Sequence, residues 1–200
     1  MSEYLEDSGL SAVPSLALGT AVERTVVAGA DRAAATRAVR RAVAQLDVDA
    51  ALSLNLLHRA GAPPIAVAGS PDHVLEYALS VAHRDGHAVA VASRSDRHIG
   101  VDVERADTIG AAEVRMFASV AERAAGIDPT VLWLLKEAAW KALACPPNLP
   151  FHALQLELKD GALLAVNVSD RRLRARAHVW SPWLHWLASL VVIPPQTGAA

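Results

Sequence analysis

The 200-residue sequence has a single cysteine, Cys145, which excludes a disulfide framework and a cluster of thiolate metal ligands. It has no apolar run as long as a membrane span. Its first residues, Met1-Ser2-Glu3-Tyr4-Leu5-Glu6-Asp7, are acidic and lack the basic start of a secretory signal. Net charge is small, −2, so the total points neither to nucleic acid nor to an anionic membrane surface. One basic run, Arg171-Arg172-Leu173-Arg174-Ala175-Arg176, has no interleaved aromatic residues on which bases could stack, and reads as the wet face of a strand. What remains is a chain with 52% hydrophobic and 20% charged residues, enough for the core of one domain or two small ones. No nucleic acid and no membrane is expected as a partner, and a cytoplasmic location is the expectation.

Two stretches stand out. In Ile99-Gly100-Val101-Asp102-Val103-Glu104, apolar and other residues alternate. That is the period of a half-buried strand, and it places both carboxylates on one face about 6–7 Å apart. In Trp133-Leu134-Leu135-Lys136-Glu137-Ala138-Ala139-Trp140-Lys141, Glu137 and Lys141 are one helical turn apart. Alone, the strand acids also fit a solvated antiparallel face, and Glu137 with Lys141 a surface ion pair. The helix argues against the second of these, because Val131, Leu132, Leu134, Leu135, Ala138, Ala139, Ala142 and Leu143 leave it almost no polar side. Charges on so apolar a helix need partners, and a divalent cation with a phosphate is one set that three acids and an ammonium can bind.

The rest of the chain reads as an α+β pattern. Ala21–Ala28 suits a strand ended by Gly29, and the alanine-rich segment 31–46 suits a helix capped by Asp31. A short helix around Ala50–His58 leads to a loop carrying Gly61, Pro63, Pro64, Gly69 and Pro71. Residues 77–93 read as strand, turn and strand around Arg84-Asp85-Gly86, and Ser93–His98 as a hairpin loop into 99–104. The turn separates His83 from His87 and argues against a helical zinc pair. Ala111–Ala125 suits one helix stopped by Gly126. Asp128-Pro129 starts the next, which runs to about Ala144 and is halted by Cys145-Pro146-Pro147. Strands around Leu154–Leu158 and Ala162–Val168 flank a turn at Asp160-Gly161; further strands cover Leu173–Val179 and Leu184–Ile193.

The two distinctive stretches, in this order and about thirty residues apart, resemble the paired signatures of the 4′-phosphopantetheinyl transferase superfamily, a G-[IV]-D-[IV]-E strand and a W-x-x-K-E-A-x-x-K helix. Arg32 and Arg37 fall on the basic positions of the family's G-R-x-A-A-x-R-A-L helix, with Asp31 where its glycine often stands. Ser80-Val81-Ala82-His83 corresponds to the family's S-x-S-H, with Ala82 replacing the serine. The lost hydroxyl removes one expected hydrogen bond, a loss of about 1 kcal/mol in coenzyme binding.

The resemblance implies two similar α+β halves, 1–97 and 98–200, each a helix packed on an antiparallel sheet. They form a pseudo-dimer within a monomeric chain, with the site in the cleft between them. It implies Mg²⁺-dependent transfer of 4′-phosphopantetheine from coenzyme A to a serine of an acyl, peptidyl or aryl carrier protein. Asp102, Glu104 and Glu137 would hold the metal, directly or through water; Lys141, with Lys136, would contact the diphosphate. Glu137, or a water it orients, would act as the base. Arg32, Arg37 and His83 would bind the coenzyme's phosphates. Bland readings stand beside these: Arg32 and Arg37 as the wet side of a helix, His83 as a structural histidine at a strand end, Lys136 as an exposed charge. Two other functions fit the same residues: different chemistry on carrier-bound or coenzyme A thioesters, and a non-catalytic module that docks carrier proteins.

Overall fold

The alanine-rich segment forms a helix whose buried residues Ala34, Ala35, Ala38, Val39, Ala42 and Val43 recur at helical spacing. In the computed structural model, which describes residues 20–26, 31–57, 65–68, 74–94, 98–146, 148–159 and 162–195, this helix is α1 (Asp31–Leu46). It follows β1 (Thr20–Val26) and leads to α2 (Val48–Ser53), β2 (Leu54–Leu57), β3 (Ile65–Ala68), β4 (Ala78–Arg84) and β5 (His87–Ser93). Strand β5 lies between β1 and β4, antiparallel to both, while β2 and β3 make a separate ribbon. Along β5 the period of two is plain: Ala88, Ala90 and Ala92 pack toward α1, Val89 and Val91 the other way. The β4–β5 turn is Asp85-Gly86, both with positive φ (50° and 77°), as a two-residue hairpin of the tightest kind requires.

The second part of the chain repeats this order of connections. Strand β6 (His98–Arg105) leads through α3 (Val114–Phe117) and α4 (Val120–Ala124) to α5 (Pro129–Ala142). A three-stranded antiparallel sheet follows, β7 (Gln155–Lys159), β8 (Ala162–Val168) and β9 (Arg171–Arg174). Then β10 (Arg176–Trp180) and β11 (Trp186–Ile193) form a hairpin whose second strand pairs antiparallel with β6. The fold is therefore α+β, helices combined with antiparallel sheets. Among the described residues, no helix is long and apolar enough to cross a membrane.

Edge strands β4 and β6 bring the two main sheets together. Ser80 Oγ on β4 accepts a hydrogen bond from the Val101 N–H of β6 at 3.0 Å, satisfying a backbone donor at the open edge. Around this seam Ala82, Val89 and Val91 meet Val101, Val103 and Leu190 in a shared apolar cluster. On the far side of β6 lies α5, begun as its sequence demands: Asp128 Oδ1 accepts from the N–H groups of Thr130 (2.8 Å) and Val131 (3.1 Å), with Pro129 in the first turn.

Several expectations change. Leu54–Leu57 is a strand rather than the end of a helix, because Leu54 and Leu56 alternate onto the α1 cluster with Asn55 exposed between them. Ser93–His98 does not close a hairpin: β5 and β6 belong to different sheets. The helix expected over Ala111–Ala125 breaks at Ala118-Ser119, where Ser119 and Glu122 form a reciprocal cap for α4. The expected Leu173–Val179 strand divides at Ala175, whose N–H donates to the Leu164 carbonyl as the chain passes from one sheet to another. Helix α5 ends at Ala142, two residues early, and β11 starts at Trp186. Gly29, Gly61, Pro63, Pro64, Gly69, Pro71, Pro147 and the Asp160-Gly161 turn lie outside the described residues, as does the Asp31 side chain.

Candidate functional site

Strand β6 sends Ile99, Val101 and Val103 into the seam and Gly100, Asp102 and Glu104 toward α5. Both faces are covered, so this is not the half-buried strand of the alternation argument. Asp102 is 6% and Glu104 7% exposed, which rules out a solvated acidic face. Ionised carboxylates this deep require partners. Lys141 Nζ on α5 donates to Asp102 Oδ1 at 2.6 Å and to the Val101 carbonyl at 3.3 Å. From the other side, Arg84 Nη1 at the end of β4 donates to Glu104 Oε1 at 2.5 Å. Each acid thus has one oxygen tied to a cation, while the other, Asp102 Oδ2 or Glu104 Oε2, is buried without a hydrogen-bond partner.

Glu137, one turn before Lys141 on α5, is half-buried and lies within electrostatic reach of Asp102, Glu104 and Lys141. Burial is the main cause that raises the pKa of all three acids above the ordinary carboxylate range. Lys141 opposes this at Asp102 and at Glu137, and Arg84 opposes it at Glu104; mutual repulsion adds to the rise at Glu104 and Glu137. His83, Arg84, Asp102, Glu104 and Lys141 line an open hollow of about 400 Å³.

Among the described residues, no three His, Cys, Asp or Glu side chains stand together as a ready-made ligand set. The donor chemistry nevertheless suits one hard cation. Mg²⁺ takes one or two carboxylates and keeps several waters, and two orphaned carboxylate oxygens beside an open hollow meet that need. Glu137 is not among the residues that line this hollow.

Lys136 does not belong here. Its side chain is fully buried, with Nζ 3.0 and 3.1 Å from the two carboxylate oxygens of Glu122 on α4. Glu122 also accepts from the Ser119 N–H (2.6 Å) and the Leu156 N–H (2.7 Å), so a saturated carboxylate holds the ammonium inside the C-terminal core. Burial pushes the Lys136 pKa down and Glu122 opposes the shift. The expected diphosphate contact from Lys136, and equally its reading as an exposed charge, are corrected by this pairing.

Arg32 and Arg37 are brought together, though elsewhere. With Thr36 and Arg40 they line a second hollow of about 650 Å³ on α1. Arg40, which sequence reasoning passed over, donates to the Leu54 carbonyl from Nε and Nη2. His83 is exposed on the β4 face that it shares with Leu79 and Val81, which pack toward α1, and Arg84 is on the face turned to β6. The same alternation, extended from Ser80 through Ala82, identifies Arg84 as the residue beside the acids. The chain matches no model of a known protein family and no curated protein.

Proposed function

We propose that this chain transfers 4′-phosphopantetheine from coenzyme A to a serine hydroxyl of an acyl or peptidyl carrier protein, releasing adenosine 3′,5′-bisphosphate. The observation that carries the reading is the pair of buried strand acids, each with one oxygen tied to a basic side chain and the other unpartnered. Asp102 and Glu104 are the residues that would hold Mg²⁺, with Glu137 reaching it through water. When bound, the cation would neutralise the charge that builds up on the leaving 5′-phosphate of adenosine 3′,5′-bisphosphate as the P–O–P linkage of the diphosphate breaks.

The protein's own groups do the rest. Lys141 Nζ, already directed at Asp102 Oδ1, donates to a diphosphate oxygen at the mouth of the hollow. The carrier serine must lose its proton as Oγ attacks phosphorus, and the Glu137 carboxylate accepts it, directly or through an ordered water. Burial raises the Glu137 pKa, against the opposing pull of Lys141, and so favours proton acceptance there. Arg32 and Arg37 on the α1 hollow, with His83 at the rim of the acid-lined one, bind the nucleotide phosphates. The repeated order of strand, helix and returning hairpin supports reading 1–97 and 98–200 as two similar halves of a monomer, with the site at their junction.

The test is to incubate the protein with coenzyme A, Mg²⁺ and an apo carrier protein and to weigh the carrier. The expected result is a mass increase of one phosphopantetheine that requires Mg²⁺ and disappears in a folded Glu137→Gln variant. An unchanged carrier mass with the wild-type protein overturns the reading; an unchanged rate in Glu137→Gln removes the base from it.

A further inference from the structure

We infer that Arg84 is a direct contact for the diphosphate, the counterpart of Lys141 across the hollow. This rests on the function proposed above and adds to it a residue that the sequence signatures do not contain. The two cations reach the hollow from opposite elements, Arg84 from the end of β4 and Lys141 from the last turn of α5. Each is anchored by a single strand acid, Arg84 Nη1 by Glu104 Oε1 and Lys141 Nζ by Asp102 Oδ1.

The Arg84 side chain is 46% exposed, whereas that of Glu104 is 9% exposed. The acid is inside and the guanidinium is at the rim, open to the hollow. A guanidinium has five N–H donors in a fixed fork, and the bond to Glu104 occupies one of them. The others suit two oxygens of a phosphate, the geometry for which arginine surpasses lysine. Charge points the same way. A divalent cation on Asp102 and Glu104, added to Arg84 and Lys141, leaves the three acids overbalanced by positive charge, which favours an anionic ligand.

Arg84 is the one charged donor on its face of β4. Ala82 is buried in the apolar seam, on the same β4 face as Arg84, and offers no hydroxyl to a ligand.

The alternative role for Arg84 is to prop Glu104 for the metal, and the two roles separate in a binding experiment on the full-length chain. Mg²⁺ is titrated alone, and inorganic pyrophosphate is then titrated at saturating Mg²⁺, by calorimetry, into wild type, Arg84→Gln and Arg84→Lys. The expected result is pyrophosphate binding weakened about tenfold or more in Arg84→Gln and partly restored in Arg84→Lys. Mg²⁺ binding alone should be unchanged or tighter, since a repelling charge has gone. Equal pyrophosphate affinity in wild type and Arg84→Gln overturns the inference while leaving transfer to the carrier intact. Loss of Mg²⁺ and pyrophosphate affinity in step makes Arg84 a prop and also overturns it. Wild-type protein that binds neither probe overturns both the inference and the function on which it rests.

Discussion

Gly100 on β6 lies so close to Ala138 on α5 that a Cβ at position 100 would stand 1.8 Å from the Ala138 carbonyl oxygen. The Ala142 nitrogen would be 2.6 Å away, so the backbone of α5, rather than a movable side chain, fills the space. The glycine sets the distance between strand and helix, and with it the reach of Lys141 to Asp102.

Gly100→Ala should therefore force α5 off β6. The expected cost is at the upper end of overpacking changes, about 3 kcal/mol, read as a lower urea midpoint in equilibrium unfolding. Mg²⁺ binding should weaken as well, because the cation-binding acids and Lys141 separate. A midpoint within error of wild type would mean that the strand and helix part freely.

Lys136→Met should destabilise the protein by about 3–5 kcal/mol, because Glu122 keeps a buried negative charge without its cation. The folded fraction should still bind pyrophosphate as wild type does, since Lys136 faces the core rather than the hollow. Chemical denaturation and calorimetry on the same sample separate these effects. Weakened pyrophosphate binding with unchanged stability would return Lys136 to the site.

The sequence shows the acid-bearing strand and the helix start at Asp128-Pro129, because both are local patterns. It also contains, unread, the misplacement of Lys136. At about 100° per residue, Lys136 and Lys141 are five positions and about 140° apart, so they cannot share a face. Glu137 and Lys141 differ by only about 40°. Other features are not local. The burial of Asp102 and Glu104 depends on β4 and α5, which close over β6 from distant parts of the chain. The break at Ala118-Ser119 follows from where the Glu122 carboxylate must go, to meet Lys136 and Leu156. At Ala175 the alternation of period two continues straight through the passage between sheets, so nothing in the pattern marks it.

Acidity should act on stability through the same acids. Asp102, Glu104 and Glu137 have folded pKa values above the ordinary carboxylate range, with burial as the leading cause. Between the unfolded and the raised folded values, the folded chain binds more protons than the unfolded one, so this contribution to stability falls as pH rises. It is fully present below the ordinary carboxylate range and lost as pH climbs through the folded values. Without divalent cation, the melting temperature should accordingly fall less steeply with rising pH in Glu137→Gln than in wild type. Mg²⁺ should raise the wild-type melting temperature at neutral pH and have little effect where the acids are protonated. Parallel pH profiles for the two proteins would show that Glu137 is not part of the charged cluster.

The most direct measurement is Mg²⁺ affinity by calorimetry at neutral pH, for wild type and for Asp102→Asn shown to be folded by circular dichroism. Wild type should bind the ion, and the variant should bind it at least about tenfold more weakly for want of one of the two proposed carboxylate ligands. Equal affinity in the two proteins, or no binding by wild type, would contradict it.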